Sequence, residues 1–448
     1  MRLTLALTLL LAPLPATAEP PATPVIVILK DQANPGTIHA PTRHQRRAAI
    51  ERALRAKAGS TQRSLLTLAA AGGATRVQPL WIVNAIALTA TPALIERLAA
   101  RPEVREIRKD GTFQAPALAA STASAEPNIA LVGAPALWDL GRRGEGVVVA
   151  ALDTGVDATH PDLAGRYRGG GNSWYDPNGE HPTPTDVSGH GTSVMGVMAG
   201  SNGLGMAPGA TWITAKIFND RGTATGSGIH LAMQWLLDPD GNPDTSDAPD
   251  VVDNSWTGAS GGCLPDFQPD LRTLRLAGIV PVFAAGNSGP TAASVYSPAD
   301  LPEALAVGAT DTADVLAADS GRGASACAGV TAPALVAPGV NVRTADLYGL
   351  YTTASGTSLA AAHVAGALAL LLGAYPGLDE SRQQAALQHG ALDLGAPGTD
   401  PDHGYGRLDA LAAYRWLAAA PTSRSPPPPP PAPPSSAAPP PSPPRSRR

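Results

Sequence analysis

Apolar positions along the chain fall into two kinds of pattern. Short β-branched runs at 24–30 (PVIVILK), 80–88 (LWIVNAIAL) and 104–109 (VREIRK) read as strands. Between them, 42–70 carries apolar residues at helical spacing with many Arg and Lys, and 92–100 is a short helix with Thr91 as its cap. These elements predict a compact α+β module of about 90 residues, large enough to fold alone. From 147 onward the strands change character. The run 147–152 (VVVAAL) is continuously apolar, as in a strand covered on both faces, and further strands are read at 212–218, 251–254, 279–284 (IVPVFA) and 304–309, with the apolar 335–337 before Pro338. They alternate with helical stretches at 193–199, 226–237, 271–277, 381–388 and 408–418. Such alternation predicts an α/β domain with a mostly parallel central sheet and helices on both faces. The longest apolar stretch, 359–372, is all Ala, Leu, Val and Gly with one His, and is apolar on every side. It predicts a buried core helix.

The ends of the chain read differently. Residues 1–18 carry Arg2, an apolar run at 3–11 and Ala16-Thr17-Ala18, the pattern of a secretory signal whose apolar run is too short to span a bilayer. No later stretch reaches a spanning length without Gly, Pro or charge, so no membrane span is expected, and the protein should be secreted or periplasmic. Residues 115–125, mostly Ala, Ser, Thr and Pro, form a linker with a plausible processing site. From 421 to 448 the chain is dominated by Pro, Ser, Ala and terminal Arg, a disordered polyproline-type tail. The expected organisation is signal (1–18), N-terminal module (19–114), linker (115–125), main domain (126–420) and tail (421–448).

The net charge of −5 hides a split. Residues 19–125 hold 14 Lys/Arg against 7 Asp/Glu, a net +7, whereas 126–420 hold 13 against 30, a net −17. The basic residues are scattered among apolar ones and lack aromatic stacking partners, which argues against a nucleic-acid partner. Complementarity between the two pieces is the better reading. Cys263 and Cys327 are the only cysteines. In an exported chain an even pair points to a disulfide, the alternative being two unpaired buried thiols. Neither has a neighbouring Cys or His, so a thiolate metal site is not expected.

Three polar residues carry the candidate chemistry. Ser358, after Gly356 and Thr357, opens the core helix, where unpaired backbone N–H groups and the positive end of the helix dipole meet any oxyanion formed there. His190, between Gly189 and Gly191, opens another helix, and Asp153 ends a buried strand. Singly, each is readable as a cap. Together they supply a nucleophile, a base whose pKa suits neutral pH and a carboxylate that orients the base. The order Asp, His, Ser is one of three chain orders in which such triads occur. His160 and His363 sit where a structural role is expected.

The segments 149–163 (VAALDTGVDATHPDL), 189–200 (GHGTSVMGVMAG), 283–287 (FAAGN) and 356–366 (GTSLAAAHVAG) resemble the Asp, His, oxyanion and Ser boxes of the subtilisin-like serine proteases, the subtilases. Within that family, 248–256 (APDVVDNSW), 278–287 and 404–407 (GYGR) are most similar to bacillopeptidase F-like members, and the N-terminal module resembles the inhibitor-type propeptide of subtilases. The resemblance implies a subtilisin-like three-layer α/β fold and an exported serine endopeptidase acting on proteins or peptides. It implies Asp153 as orienting carboxylate, His190 as general base and acid, Ser358 as nucleophile and Asn287 as side-chain oxyanion donor. Ser255, Trp256, Thr257 and Gly258 resemble the edge that pairs with extended substrate, walled by Ala284, Ala285 and Gly286. A monomer is expected, with no cofactor required. The module's own role would be intramolecular chaperone and inhibitor, docking its basic surface on the acidic domain and blocking the cleft near 109–114.

Two departures stand out. Ser193 and Ala362 occupy positions where the family commonly has His and Pro. The turn at 201–205 offers no carboxylates, so the family's tight calcium is not expected there, while the acidic turn 238–242 is a candidate for weak calcium binding. The alternatives to a peptidase are a catalytically silent binding protein of the same fold and a serine hydrolase acting on esters.

Overall fold

The computed structural model describes residues 21–116, 119–120, 126–258, 262–327, 330 and 332–419. The expected signal, most of the linker and the Pro-rich tail lie outside the described residues.

In the N-terminal module, Thr23–Leu29 pairs antiparallel with both Ala85–Ala90 and Val104–Lys109, and Thr75–Leu80 adds the outer strand of a four-stranded sheet. Two readings are corrected here. The helix expected over 42–70 is divided into Arg43–Thr61 and Arg63–Ala71. Gln62, buried between them, sends its amide to the carbonyls of Leu80 and Ala85 and to Asn84 Oδ1. The strand expected over 80–88 is a hairpin, because Asn84 adopts φ +39° and donates to the Asp31 carbonyl at 2.6 Å. Trp81, Ile82 and Val83 leave the sheet and pack among main-domain residues, where Gln234 Oε1 accepts from Trp81 N–H at 2.8 Å. Apolar periodicity does not distinguish a residue bound for its own sheet from one bound for an interface.

The main domain is built on a seven-stranded sheet in the order Leu335–Pro338, Leu305–Thr310, Val280–Ala284, Val251–Asn254, Val148–Asp153, Thr211–Lys216, Trp174–Tyr175, all pairs parallel. Alternation along one strand serves two cores. Val149 and Ala151 face a core shared with the helices His190–Ala199, Thr357–Ala374, Glu380–Gly390 and Ala410–Ala419, while Ala150 and Leu152 face one shared with Gly226–Leu237 and Gln268–Leu276. That is the three-layer arrangement expected. The helix Thr357–Ala374 is apolar and long enough to cross a bilayer by composition, yet it lies buried within the core. Cys263 and Cys327 form a disulfide with Sγ–Sγ 2.07 Å, tying together segments 64 residues apart.

The basic module sits on the acidic domain through a few specific contacts. Arg47 is buried and donates to the carbonyls of Ala248, Pro249 and Ala277. Burial pushes its guanidinium down to about 10, so it keeps its charge at neutral pH. Arg43 pairs with Asp250 and Arg55 with Asp238 (2.5 and 2.9 Å), and Arg52 and Arg108 pair with Asp244 and Asp266. In the other direction Asp110 accepts from Ser227 N–H at 2.9 Å, at the N-terminus of Gly226–Leu237.

Candidate active site

The carboxyl ends of the parallel strands meet two helix N-termini at one point. Asp153 is the last residue of its strand and is fully buried. His190 is the first residue of His190–Ala199, preceded by Gly189 in the left-handed region at φ +84°. Its Nδ1–H donates to Asp153 Oδ1 at 2.7 Å, and its Nε2 lies 3.1 Å from Ser358 Oγ in the first turn of Thr357–Ala374. Gly191 is what allows the first of these helices to come so close. A Cβ there would stand 2.1 Å from the Gly155 carbonyl oxygen and 3.1 Å from Asp153 Cβ, so no side chain fits.

Burial alone would lower the His190 pKa. The charge of Asp153 and its hydrogen bond, with Asp186 adding, outweigh burial and hold it above the ordinary histidine value. The imidazole is thereby a stronger base than a free histidine, while the buried carboxylate fixes Nε2 as the nitrogen facing the serine.

Asn287 is tied by its oxygen. Oδ1 accepts from Thr357 N–H at 3.0 Å and from Thr357 Oγ1 at 2.8 Å, which orients the amide plane and leaves its NH₂ as the donor edge. Thr357 Oγ1 in turn accepts from Gly286 N–H at 3.1 Å, joining the segment Ala284, Ala285, Gly286 to the serine's own turn. On the other side, Ser255 Oγ contacts the Ser358 carbonyl at 3.1 Å and Ser358 Oγ contacts the Ser255 carbonyl at 3.3 Å. Trp256 is buried against Phe113, Phe267 and Phe283. Thr257 lies beside Gly286. Gly258 differs from the rest of this edge, since its N–H is taken by the Ser297 carbonyl at 2.8 Å.

The residues that hold the site were not singled out from sequence. Asp186 Oδ1 accepts from Thr154 Oγ1 and from the N–H groups of Ser188 and Gly189, and its Oδ2 accepts from Thr192 N–H and Oγ1. One carboxylate thus ties the end of the Asp153 strand to the start of the His190 helix. Buried Lys216 donates to the Thr154 carbonyl at 3.0 Å. The signals were an acidic residue four before His190 and a Thr two after it, both lost among so many polar loop residues. His160 and His363 are occupied elsewhere. His160 Nε2 bonds the Leu350 carbonyl, and His363 bonds the Leu359 carbonyl and Asn128, its pKa pushed down to about 4 by burial.

Metal-ligating groups lie away from this point. In the turn 201–205, Ser201 Oγ and Asn202 Nδ2 both donate to Asp162 Oδ1, at 3.0 and 2.6 Å. Carboxylates of Asp238, Asp240 and Asp247 approach within 4.8 Å of one another, with Arg55 on Asp238. Glu180, His181 and Asp220 form a second such group, with His181 and Lys216 both on Asp220.

A model of the subtilase family matches residues 144–406. Bacillopeptidase F of Bacillus subtilis (strain 168) is 35% identical over 421 residues, which is 84% of this chain and 29% of that protein. Subtilisin E of Bacillus subtilis (strain 168) is 32% identical over 320 residues, 70% of this chain and 77% of the relative. Subtilisin Savinase of Lederbergia lenta is 36% identical over 291 residues, 64% and 97% respectively. The chain therefore spans under a third of bacillopeptidase F but most of the shorter relatives.

Proposed function

Because the chain belongs to the subtilase family of serine endopeptidases, we propose that it is exported, is made as a self-processing zymogen, and hydrolyses peptide bonds in proteins through Asp153, His190 and Ser358. The observation that carries the reading is the unbroken line Asp153 Oδ1, His190 Nδ1, His190 Nε2, Ser358 Oγ, at 2.7 and 3.1 Å. In it Ser358 Oγ attacks the scissile carbonyl and its proton passes to His190 Nε2. Asp153 stabilises the imidazolium. The oxyanion of the tetrahedral intermediate is met by the Asn287 amide and the backbone N–H of Ser358 at the helix start. Collapse hands the His190 proton to the leaving amine and leaves an acyl group on Ser358, which water removes by the reverse sequence.

Peptide rather than ester is favoured by a second feature. Thr112–Gln114 pairs antiparallel with Thr223–Thr225, and Phe113 packs on Trp256 and Phe267. The main domain thus already binds an extended segment by strand addition, the mode by which proteins recognise peptides. The same pairing supports the N-terminal module as propeptide and inhibitor. Labelling with a fluorophosphonate probe tests the chemistry. Wild type should label and Ser358→Ala should not, and the mutant should retain its N-terminal module. An unlabelled wild type would overturn the proposal.

A further inference from the structure

A second carboxyl reaches the nucleophile's turn. Asp253 lies on Val251–Asn254, the strand beside the one that ends at Asp153, and is fully buried. Its Oδ2 is 2.7 Å from Ser255 Oγ, and its Oδ1 has no hydrogen-bond partner among the described residues. Ser255 Oγ is also 3.1 Å from the Ser358 carbonyl oxygen. A hydroxyl has one proton. Facing an ionised carboxylate and a carbonyl, both acceptors only, Ser255 can satisfy one and must leave the other. Both contacts become hydrogen bonds if Asp253 carries the second proton. Its O–H then donates to Ser255 Oγ, and Ser255 donates to the Ser358 carbonyl.

The surroundings favour that proton. Burial first, and then the charge of Asp153, push the Asp253 carboxyl up to about 8, against the Ser255 contact and His190. The other strand beside it, Val280–Ala284, contributes no titratable group, and Thr357–Ala374 contributes only His363. A second buried carboxylate next to Asp153 would have no cationic partner except His190 itself.

We propose that Asp253 acts as a neutral acid that positions the nucleophile, setting the direction of the Ser255 hydroxyl and through it the main chain of Ser358. The inference rests on the triad reading above. When Asp253 ionises, the Ser255 hydroxyl turns to the carboxylate, the Ser358 carbonyl loses a donor, and a further negative charge faces His190. Activity should therefore fall on the alkaline side for a reason internal to the site.

The test compares wild type with Asp253→Asn, whose NH₂ donates to Ser255 Oγ at every pH. The pH profile of kcat/KM on a chromogenic peptide is recorded from about pH 6 to about pH 10, each enzyme normalised to its own neutral rate. Wild type should fall about tenfold by one pH unit above its alkaline midpoint, as a single titration requires. Asp253→Asn should not fall. Difference infrared spectra should show a protonated carboxyl band in wild type at neutral pH that is lost at high pH and missing from Asp253→Asn. If the Asn variant does not fold, Ser255→Ala cuts the same relay and should shrink the alkaline fall. An unmoved alkaline limb or the absence of that band would overturn the role of Asp253. Fluorophosphonate labelling of Ser358 reports on the triad separately, so a labelled enzyme with an unmoved limb defeats this inference alone.

Discussion

At the scale of single residues, the site depends on contacts too short to be adjusted. Ser358→Ala should lower kcat by about 10⁶, the scale of nucleophile loss in a triad protease. Asn287→Ala removes one oxyanion donor while Thr357 and Ser358 stay in place, so kcat should fall about 10²–10³ with little change in KM, measured by steady-state kinetics. The acid limb of kcat/KM follows from the sign of the His190 shift. His190 must be neutral to accept the serine proton, and its pKa lies above the ordinary value, so activity should be lost at a pH above about 6.5 as pH falls. Asp153→Asn removes the main raising influence and should move that limb downward while slowing the enzyme. Asp253 has a stability signature too. The folded protein holds its proton up to about pH 8, whereas the unfolded chain releases it near about 3.9. Between those values the unfolded state binds fewer protons, so this residue's contribution to stability is present below about 3.9 and is lost as pH rises. Asp253→Asn should therefore raise Tm more at pH 8 than at pH 4 in calorimetry.

At the scale of elements, two helix starts are brought to one strand end. Nothing in the local pattern of His190–Ala199 or Thr357–Ala374 says that they meet. The parallel sheet does so, because every strand in it ends on the same side and the connections return over its faces. Asp186 then fastens one of these junctions with five hydrogen bonds. Its position in a loop made it illegible from sequence, where an isolated Asp is ordinarily a turn residue. The boxes around Asp153, His190, Asn287 and Ser358 were legible, since each is a small-residue segment at the start or end of an apolar run. The hairpin at 81–84 was not, since its apolar residues belong to a surface that only docking creates.

At the scale of the whole molecule, the charge split becomes an interface. Arg47 is its buried centre, donating to three carbonyls. Arg47→Ala should weaken docking by about 2–5 kcal/mol. Hydrogen exchange of Arg43–Thr61 in the full-length Ser358→Ala chain reads this directly, and faster exchange is the expected outcome. Added salt should speed exchange less than this, because Arg47 is shielded and only rim pairs such as Arg52 with Asp244 are screened. The disulfide closes a loop of 64 residues. Loop-closure entropy assigns it about 4 kcal/mol, so replacing both cysteines by Ser should lower the denaturant midpoint with the fold retained.

The sequence by itself determined the alternation of strands and helices, the basic and acidic pieces, and the four small-residue boxes, because these follow from local periodicity, composition and residue type. Only the tertiary structure places the Ser358 hydroxyl against a histidine that is itself held by a buried carboxylate. That histidine lies 168 positions earlier in the chain, and Asp186 and Ser255 contact the two helix starts, with Asp253 on Ser255. Those three residues matter through hydrogen-bond geometry, which no local pattern records.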